Sequence, residues 1–373
     1  MNTCRTIRLI TALALVCAPL CAAKYVDPLG GNDANDGSIT APWKTLQNIN
    51  NLADTVYISN SALCYFGDVH DRGPTDVTLT SWGSARPTII VSNRATSSGV
   101  ISLNSSTIRQ RIALHNLKLV APDTGARLIY VNSGVGKTVE IVNCVFDMTS
   151  ESNSSRRINL RTPDTIFVFR SNLVYGCRDG ASSSHFIYQE TASNIFDVCF
   201  NRFFGFAGTT RGICMVNTPG NRGIVANNTA YGCSYLLQVN QNNAGMTNIN
   251  NLVEALPGGW WFGHSWDAAA QHFCDFTFSG DSAANTFKSG TIQGPSNVTG
   301  LTEAQIKFLN TSDVTAPNFL RIDIGSIAEK SDAAEVYPEL DLPPYAGWAQ
   351  AIPEPALLAA LACALLCLHR SRC

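Results

Sequence analysis

The sequence predicts an all-β fold, a right-handed single-stranded parallel β-helix of roughly eight coils, and three observations carry that expectation. The first is Asn followed by alternating apolar residues, which returns as Asn116-Leu-Lys-Leu119, Asn143-Cys-Val-Phe146, Asn172-Leu-Val-Tyr175, Asn201-Arg-Phe-Phe204, Asn228-Thr-Ala-Tyr231 and Asn251-Leu-Val253. Its intervals are 27, 29, 29, 27 and 23 residues. The second is a strand-like series in phase with it: Ile101–Leu103, Leu128–Tyr130, Ile158–Leu160, Phe186–Tyr188, Ile213–Met215 and Leu237–Val239. The third is the period itself. Alternation in twos with Asn, Gly and Ser turns makes strands, and the long 3.6-period stretches of a helical solenoid are missing.

The elements follow in chain order. Met1 to Arg8 is basic, Leu9 to Leu20 is apolar, and Ala22-Ala23 precede Lys24, so residues 1–23 read as a secretory signal peptide. The β-helix domain spans 24–337 with its caps. Pro42 suits the first position of a helix, and Trp43, Leu46, Ile49 and Leu52 share one helical face. A capping helix there would cover the open end of the solenoid and hide its strand edges. In the coils, equivalent positions stack at about 4.8 Å and bury a continuous apolar interior. Asn at the recurring corner tolerates left-handed backbone, and its amide can bond the Asn above and below. Beyond residue 256 the period is lost, and the irregular stretch with Trp260, Trp261 and Phe262 reads as a C-terminal cap. Residues 338–351 read as a linker marked by Pro338, Pro343, Pro344 and Gly347. Residues 352–373 hold Pro353-Glu354-Pro355, twelve apolar residues from Leu357 to Leu368 and a basic end. That apolar stretch spans only about 18 Å as a helix, short of a hydrocarbon core of about 30 Å.

Two resemblances rest on these residues. The tail, a Pro-Glu-Pro box followed by an apolar segment and arginines, resembles the PEP-CTERM sorting signal of Gram-negative bacteria. That likeness implies processing by an exosortase-type membrane protease, passing association with the membrane through the C-terminal segment, and delivery to the cell surface or extracellular matrix. Tyr25-Val-Asp-Pro28, Gly31-Asn-Asp33, Asn35-Asp-Gly37, Ala41-Pro-Trp-Lys-Thr-Leu46 and the run from Thr78 to Ile89 are similar to the opening of secreted β-helix proteins of the pectate-lyase-like superfamily. The enzymes of that superfamily are lyases and hydrolases of polysaccharides.

Charge narrows the partners. The chain carries 26 basic and 28 acidic residues. The two terminal signals hold four of the former and one of the latter, leaving a mildly acidic body that is no nucleic-acid binder. Seven cysteines remain in that body, an odd number without zinc-site spacing, and they read as buried thiols.

For chemistry, alternation places Ser102, Asn159, Arg161, His185, Gln189, Gln238 and Asn240 on one outer face, rich in amides and poor in carboxylates. Lyase chemistry needs a base beside calcium ligands, and hydrolysis needs paired carboxylates. Arg161, Arg178 and Asp179 are the catalytic candidates, although Asp179-Gly180 is also an ordinary turn. Asn159, His185, Gln189, Gln238, Asn240, Trp260 and Trp261 are the candidates for contacting sugar. No cofactor is expected. Calcium on the Asp27 to Asp36 stretch is the one metal alternative, and turn formation explains the same residues. Gly134-Val-Gly-Lys-Thr138 evokes a phosphate loop, but Val131 stands where glycine is required. The expectation is an exported monomer that binds or organises extracellular polysaccharide without catalysis. A polysaccharide lyase or glycosidase and a plain surface spacer are the alternatives.

Overall fold

The computed structural model describes residues 23–66, 75–91, 100–107, 109–120, 127–149, 157–176, 185–206, 212–233, 235–255, 261–263, 272–287 and 290–348. The expected signal peptide up to Ala22, Cys177, Arg178, Asp179, Trp260 and the Pro353-Glu354-Pro355 box lie outside them.

Three parallel sheets of eleven, nine and seven strands form the coil, here sheets I, II and III. One coil runs Ile166–Arg170 in sheet I, Leu173–Tyr175 in sheet II and His185–Gln189 in sheet III. The next repeats it with Ile195–Cys199, Arg202–Phe204 and Gly212–Val216. The seven strands of sheet III count seven complete coils among the described residues, with incomplete coils at both ends. Register is residue for residue: Phe167 pairs with Phe196, Phe169 with Val198 and Val174 with Phe203. Inward side chains therefore stack into columns. Phe169 sits 5.8 Å from Phe146 and 6.2 Å from Phe203, ring centre to ring centre, in one continuous apolar interior. Three strands of the sheet III series lie one residue off the expected frame: Ile129 rather than Leu128, Ile187 rather than Phe186 and Cys214 rather than Ile213 stand in register with Ile158.

The corner between sheets I and II turns on two adjacent residues. The first adopts left-handed backbone: Asn116, Asn143, Ser171, Phe200, Asn227, Asn250 and Phe276 have φ between 49° and 62°. The second carries the ladder. Asn172, Asn201, Asn228 and Asn251 are buried, and each backbone N–H donates to the next side chain's Oδ1: Asn172 to Asn201 at 2.9 Å, Asn201 to Asn228 at 3.0 Å, Asn228 to Asn251 at 3.0 Å. The two jobs expected of one Asn thus fall on neighbours. Asn116 and Asn143 hold the left-handed seat only, and Leu117 and Cys144 occupy the ladder seat beside them.

The amino-terminal cap is not a helix. Trp43, Leu46 and Ile49 are buried as expected, but only Gln47–Ile49 makes a 3-10 turn. The reason is that the backbone is already committed: Trp43 bridges Val26, donating to Tyr25 O and accepting from Asp27 N, while the Asp33 carboxylate accepts from the N–H groups of Lys44 and Thr45. Lys24–Val26 adds a parallel strand to the edge of sheet I.

At the other end the chain folds back over the outer face of sheet II. Phe319 packs edge-on against Phe204 at 5.1 Å and Phe308 against Tyr231 at 5.6 Å. The stretch expected as a linker is docked as far as Trp348. Asn227 and Asn250 donate their amides to Tyr345 O, and Trp348 N donates to Thr229 Oγ1. Gly347 makes this approach feasible, since its φ is +85° and a Cβ there would sit 2.6 Å from Thr229 Oγ1. Among the described residues no helix is long and apolar enough to cross a membrane.

Candidate functional site

The sequence directs attention to the outer face of sheet III, and the structure divides that face into a covered layer and an open rim. Ser102, Tyr130, Asn159, Tyr188, Met215 and Gln238 are in register along the middle of the sheet. Asn159 is wholly buried, and His185 and Gln238 nearly so. Nε2 of His185 lies 2.7 Å from the Tyr235 hydroxyl and 3.2 Å from Gln238 Oε1, so the three side chains tie alternate coils together. Burial pushes the Tyr235 hydroxyl above its ordinary range. Asn159, His185 and Gln238 are thus corrected from open sugar contacts to a covered polar layer.

Gln189 needs a further correction. It stands in register with inward Leu160 and Val216, fully buried, where its amide donates to Thr218 Oγ1 and accepts from Asn217 N. Alternation counted from Phe186 put it outside. Trp261 is also fully buried, with its indole N–H donating to Asp281 Oδ2 at 2.7 Å. It closes the core and offers no ring to a sugar.

The rim follows the last residue of each strand. Asn104, Asn132, Arg161, Glu190, Asn217 and Asn240 succeed one another at intervals of 28, 29, 29, 27 and 23 residues, nearly those of the Asn corner. Each backbone N–H from Asn132 onward donates to a strand of the preceding coil, as Arg161 N does to Val131 O and Glu190 N to Leu160 O. Their side chains therefore project side by side at about 4.8 Å. All six reach solvent, Arg161 with 43% of its side chain exposed. Arg161 donates to Tyr130 Oη at 2.6 Å and pairs with Glu190 at 3.0 Å, and Asn159 donates to the other Glu190 oxygen at 3.2 Å. Asn240 donates to Asn217 Oδ1 at 2.8 Å, and Arg127 lies over the Tyr130 ring at 4.5 Å. The Tyr130 hydroxyl and then Glu190 raise the Arg161 pKa, which keeps the guanidinium charged. Of the residues singled out from the sequence, Arg161 and Asn240 stand on this row. Glu190, Asn217 and Asn132 were missed, although the shared interval was available to find them.

The outer face of sheet I differs. Arg111 binds both Asp76 at 3.1 Å and Glu140 at 2.9 Å, His115 reaches the other Glu140 oxygen at 2.8 Å, and Arg170 pairs with Asp197. Burial alone would raise the Glu140 pKa, but hydrogen bonds from Arg111 and His115 bring it below the usual range. All three carboxylates are engaged as acceptors of neighbouring cations or imidazole, and Glu140 in particular is held ionised by them.

Metal and thiol chemistry find little support. Asp27 takes the hydroxyls of Ser59 and Ser61 and the N–H of Leu29, Asp33 takes Lys44 and Thr45, and Asp36 takes Ser38. The stretch considered for calcium spends its carboxylates on turns, and among the described residues no three potential ligands gather. The six described cysteines are free and buried, and burial pushes the thiols of Cys64, Cys144, Cys214 and Cys233 up to about 12. Lys137 of the phosphate-loop lookalike is fully buried, its ammonium donating to Ser105 O at 2.6 Å and Gln110 Oε1 at 3.0 Å.

No protein-family model and no curated protein sequence matches the chain. Among solved structures it is similar to the GH136 lacto-N-biosidase from Eubacterium ramulus, at 12% identity over 75% of this chain and 68% of that one, with a TM-score of 0.39. The selenomethionine form of that enzyme gives 11% and 0.36 over the same shares. Pectate lyase Pel9A is similar at 11% identity over 88% of this chain and 96% of that one, with a TM-score of 0.27.

Proposed function

We propose that the chain is an exported cell-surface or extracellular-matrix protein whose β-helix binds or organises polysaccharide without turning it over. The observation that carries this reading is the rim of sheet III. Six amide, guanidinium and carboxylate side chains stand in a solvent-facing line at the coil spacing, a repeating set of donors and acceptors suited to sugar hydroxyls. Glu190 is the one carboxylate of that line, and it is held by Arg161 and Asn159. Hydrolysis asks for two carboxylates across the bond to be cut, and proton abstraction asks for a group able to lose its charge. Arg161 is fixed as a cation and serves instead as a planar donor. Export rests on the basic and apolar amino terminus, and surface delivery on the Pro353-Glu354-Pro355 tail, with an exosortase-type protease as processing partner.

One observation favours glycoside hydrolysis as a second reading. Glu254, at the end of sheet II, has its pKa raised to about 7 by burial and then by the charges of Glu303 and Asp281, which is the range of a general acid. Asp281, however, already accepts from Trp261.

The test is to pass the purified protein over immobilised neutral and uronate-containing polysaccharides, while assaying the same glycans for new reducing or unsaturated ends. Retention without product is the expected result. Product from any glycan overturns the non-catalytic reading, and neither retention nor product leaves the spacer.

A further inference from the structure

A cavity of about 340 Å³ lies on the outer face of sheet II, where the returning segment Val314–Pro317 forms its far wall. Its floor is one column of side chains in register, Lys118, Val145, Leu173 and Arg202, with Tyr175 beside them. Arg86 enters from the corner before the strand Thr88–Ile90. The lining is thus half apolar, and its three charged groups among the described residues, Arg86, Lys118 and Arg202, are cations.

These cations are short of partners. Lys118 pairs with Asp147 at 3.2 Å. Arg86 donates from Nη2 to Asn143 Oδ1 at 3.1 Å, while its Nε is buried and meets no acceptor among the described residues. Arg202 donates to Phe319 O at 3.3 Å and stacks 4.0 Å above the Trp348 ring, and no carboxylate among the described residues pairs with it. Burial, and after it the charges of Arg86 and Arg321, draws the Arg202 pKa down to about 10. Two guanidinium groups face one cavity with a surplus of charge, and guanidinium forks match the plane of a carboxylate.

We propose that this cavity binds a ring-sized carboxylate ligand, its anionic group between Arg86 and Arg202 and its ring against Val145, Leu173 and Pro317. A volume of this order accommodates a ligand of that bulk. The shared chemistry is a carboxylate on a six-membered ring, whether a sugar acid or an aromatic acid. The site is remote from the rim of sheet III, so the inference stands whether or not that rim binds glycan.

The experiment titrates the full chain with glucuronate, benzoate, glucose and inorganic sulfate by calorimetry, and repeats the titrations on Arg86→Gln, Lys118→Gln and Ala316→Trp. The last fills the cavity while leaving every cation in place. At least one of the two acids should bind at least about tenfold more tightly than glucose and sulfate, and each variant should weaken that binding by about tenfold or more with an unchanged melting temperature. Glucuronate alone binding identifies a sugar acid, and benzoate alone an aromatic one; either supports the proposal. Failure of both acids to bind overturns it. So does binding that Ala316→Trp leaves intact, or an Arg86→Gln variant that melts earlier yet keeps its affinity, since the cations would then serve only to anchor the returning segment.

Discussion

At the corner between sheets I and II each coil from the strand Arg111–His115 onward turns on a left-handed residue followed by a ladder seat, whereas the corner between sheets III and I stacks whatever side chain can reach two amides. The second stack runs Gln110, Lys137, Thr165, Asn194, Asn221 and Asn243, all buried. Thr165 N donates to Asn194 Oδ1 at 2.8 Å, Asn194 N to Asn221 Oδ1 at 3.0 Å, and Asn221 N to Asn243 Oδ1 at 2.8 Å. Each also closes its own turn: Asn194 donates to Thr191 O, Asn221 to Thr218 O, and Thr165 to Thr162 O. Both corners obey one rule, that a buried backbone N–H must find an acceptor. They differ in how tightly the turn restricts the residue. A two-residue turn with positive φ favours Asn, which fills four of these seven left-handed seats and four of the seven ladder seats, while a longer turn lets Gln, Lys and Thr fill the stack.

The largest effect should come from breaking the first ladder. Asn201→Ala removes the acceptor for the N–H and amide of Asn172 and the donor to Phe169 O, all buried. Stability should fall by about 3–4 kcal/mol in denaturant titration, at about 1–3 kcal/mol for each group left unmatched. Ser171→Gly, at the exposed left-handed seat beside Asn172, should be close to neutral, which separates the two jobs.

Breaking the second corner should cost less. Lys137→Met keeps the aliphatic stem but removes the donor to Ser105 O and to Gln110 Oε1, which keeps the N–H of Ser105, and about 1–2 kcal/mol should be lost in the same titration. A loss equal to that of Asn201→Ala would mean that the two corners carry the coil alike.

Phe200→Asn sharpens the contrast in the opposite direction. Phe200 holds the left-handed seat at φ 60° with a side chain poorly suited to it, and Asn there should add about 1 kcal/mol. An unchanged melting midpoint would show that the seat does not select its residue.

An effect of another kind, a pH dependence, lies outside both corners. The Glu254 pKa is raised in the folded chain from 4.5 to about 7. The folded state therefore binds the proton more tightly than the unfolded chain does. The stabilisation this gives is full below about 4.5 and is lost as pH rises through about 7. Glu254→Gln should flatten stability across that window and make the protein more stable than the parent at pH above it. A parent whose stability rises through the same window would contradict the assignment.

The contrast between corners also explains what could be read in advance. The Asn pattern gave away the coil period because the first corner writes itself as a residue type at a fixed place. Asn116 and Asn143 joined that series one seat early, since Asn suits both halves of the turn. The second stack stayed hidden behind Gln110, Lys137 and Thr165, which share a geometry but no residue type. At the candidate site, alternation found the outward column of Asn159 and Gln238 but could not show that it is covered. It missed Glu190 and Asn217 because alternation counted from Phe186 and Ile213 runs one residue off the observed frame. The cavity beneath Val314–Pro317 depends on a segment more than a hundred residues away from Arg202, and no local pattern marks it.

The central claim is that polysaccharide is held along the rim of sheet III. Its most direct test is the affinity of the purified chain for whichever polysaccharide retains it, measured for Asn217→Ala and Asn240→Ala beside Arg111→Ala and Arg170→Ala from the outer face of sheet I. The rim substitutions should weaken binding by about tenfold together while the sheet I substitutions leave it unchanged, in keeping with the loss of one or two net hydrogen bonds. Binding that ignores the rim substitutions, or that falls equally with those on sheet I, would contradict the account.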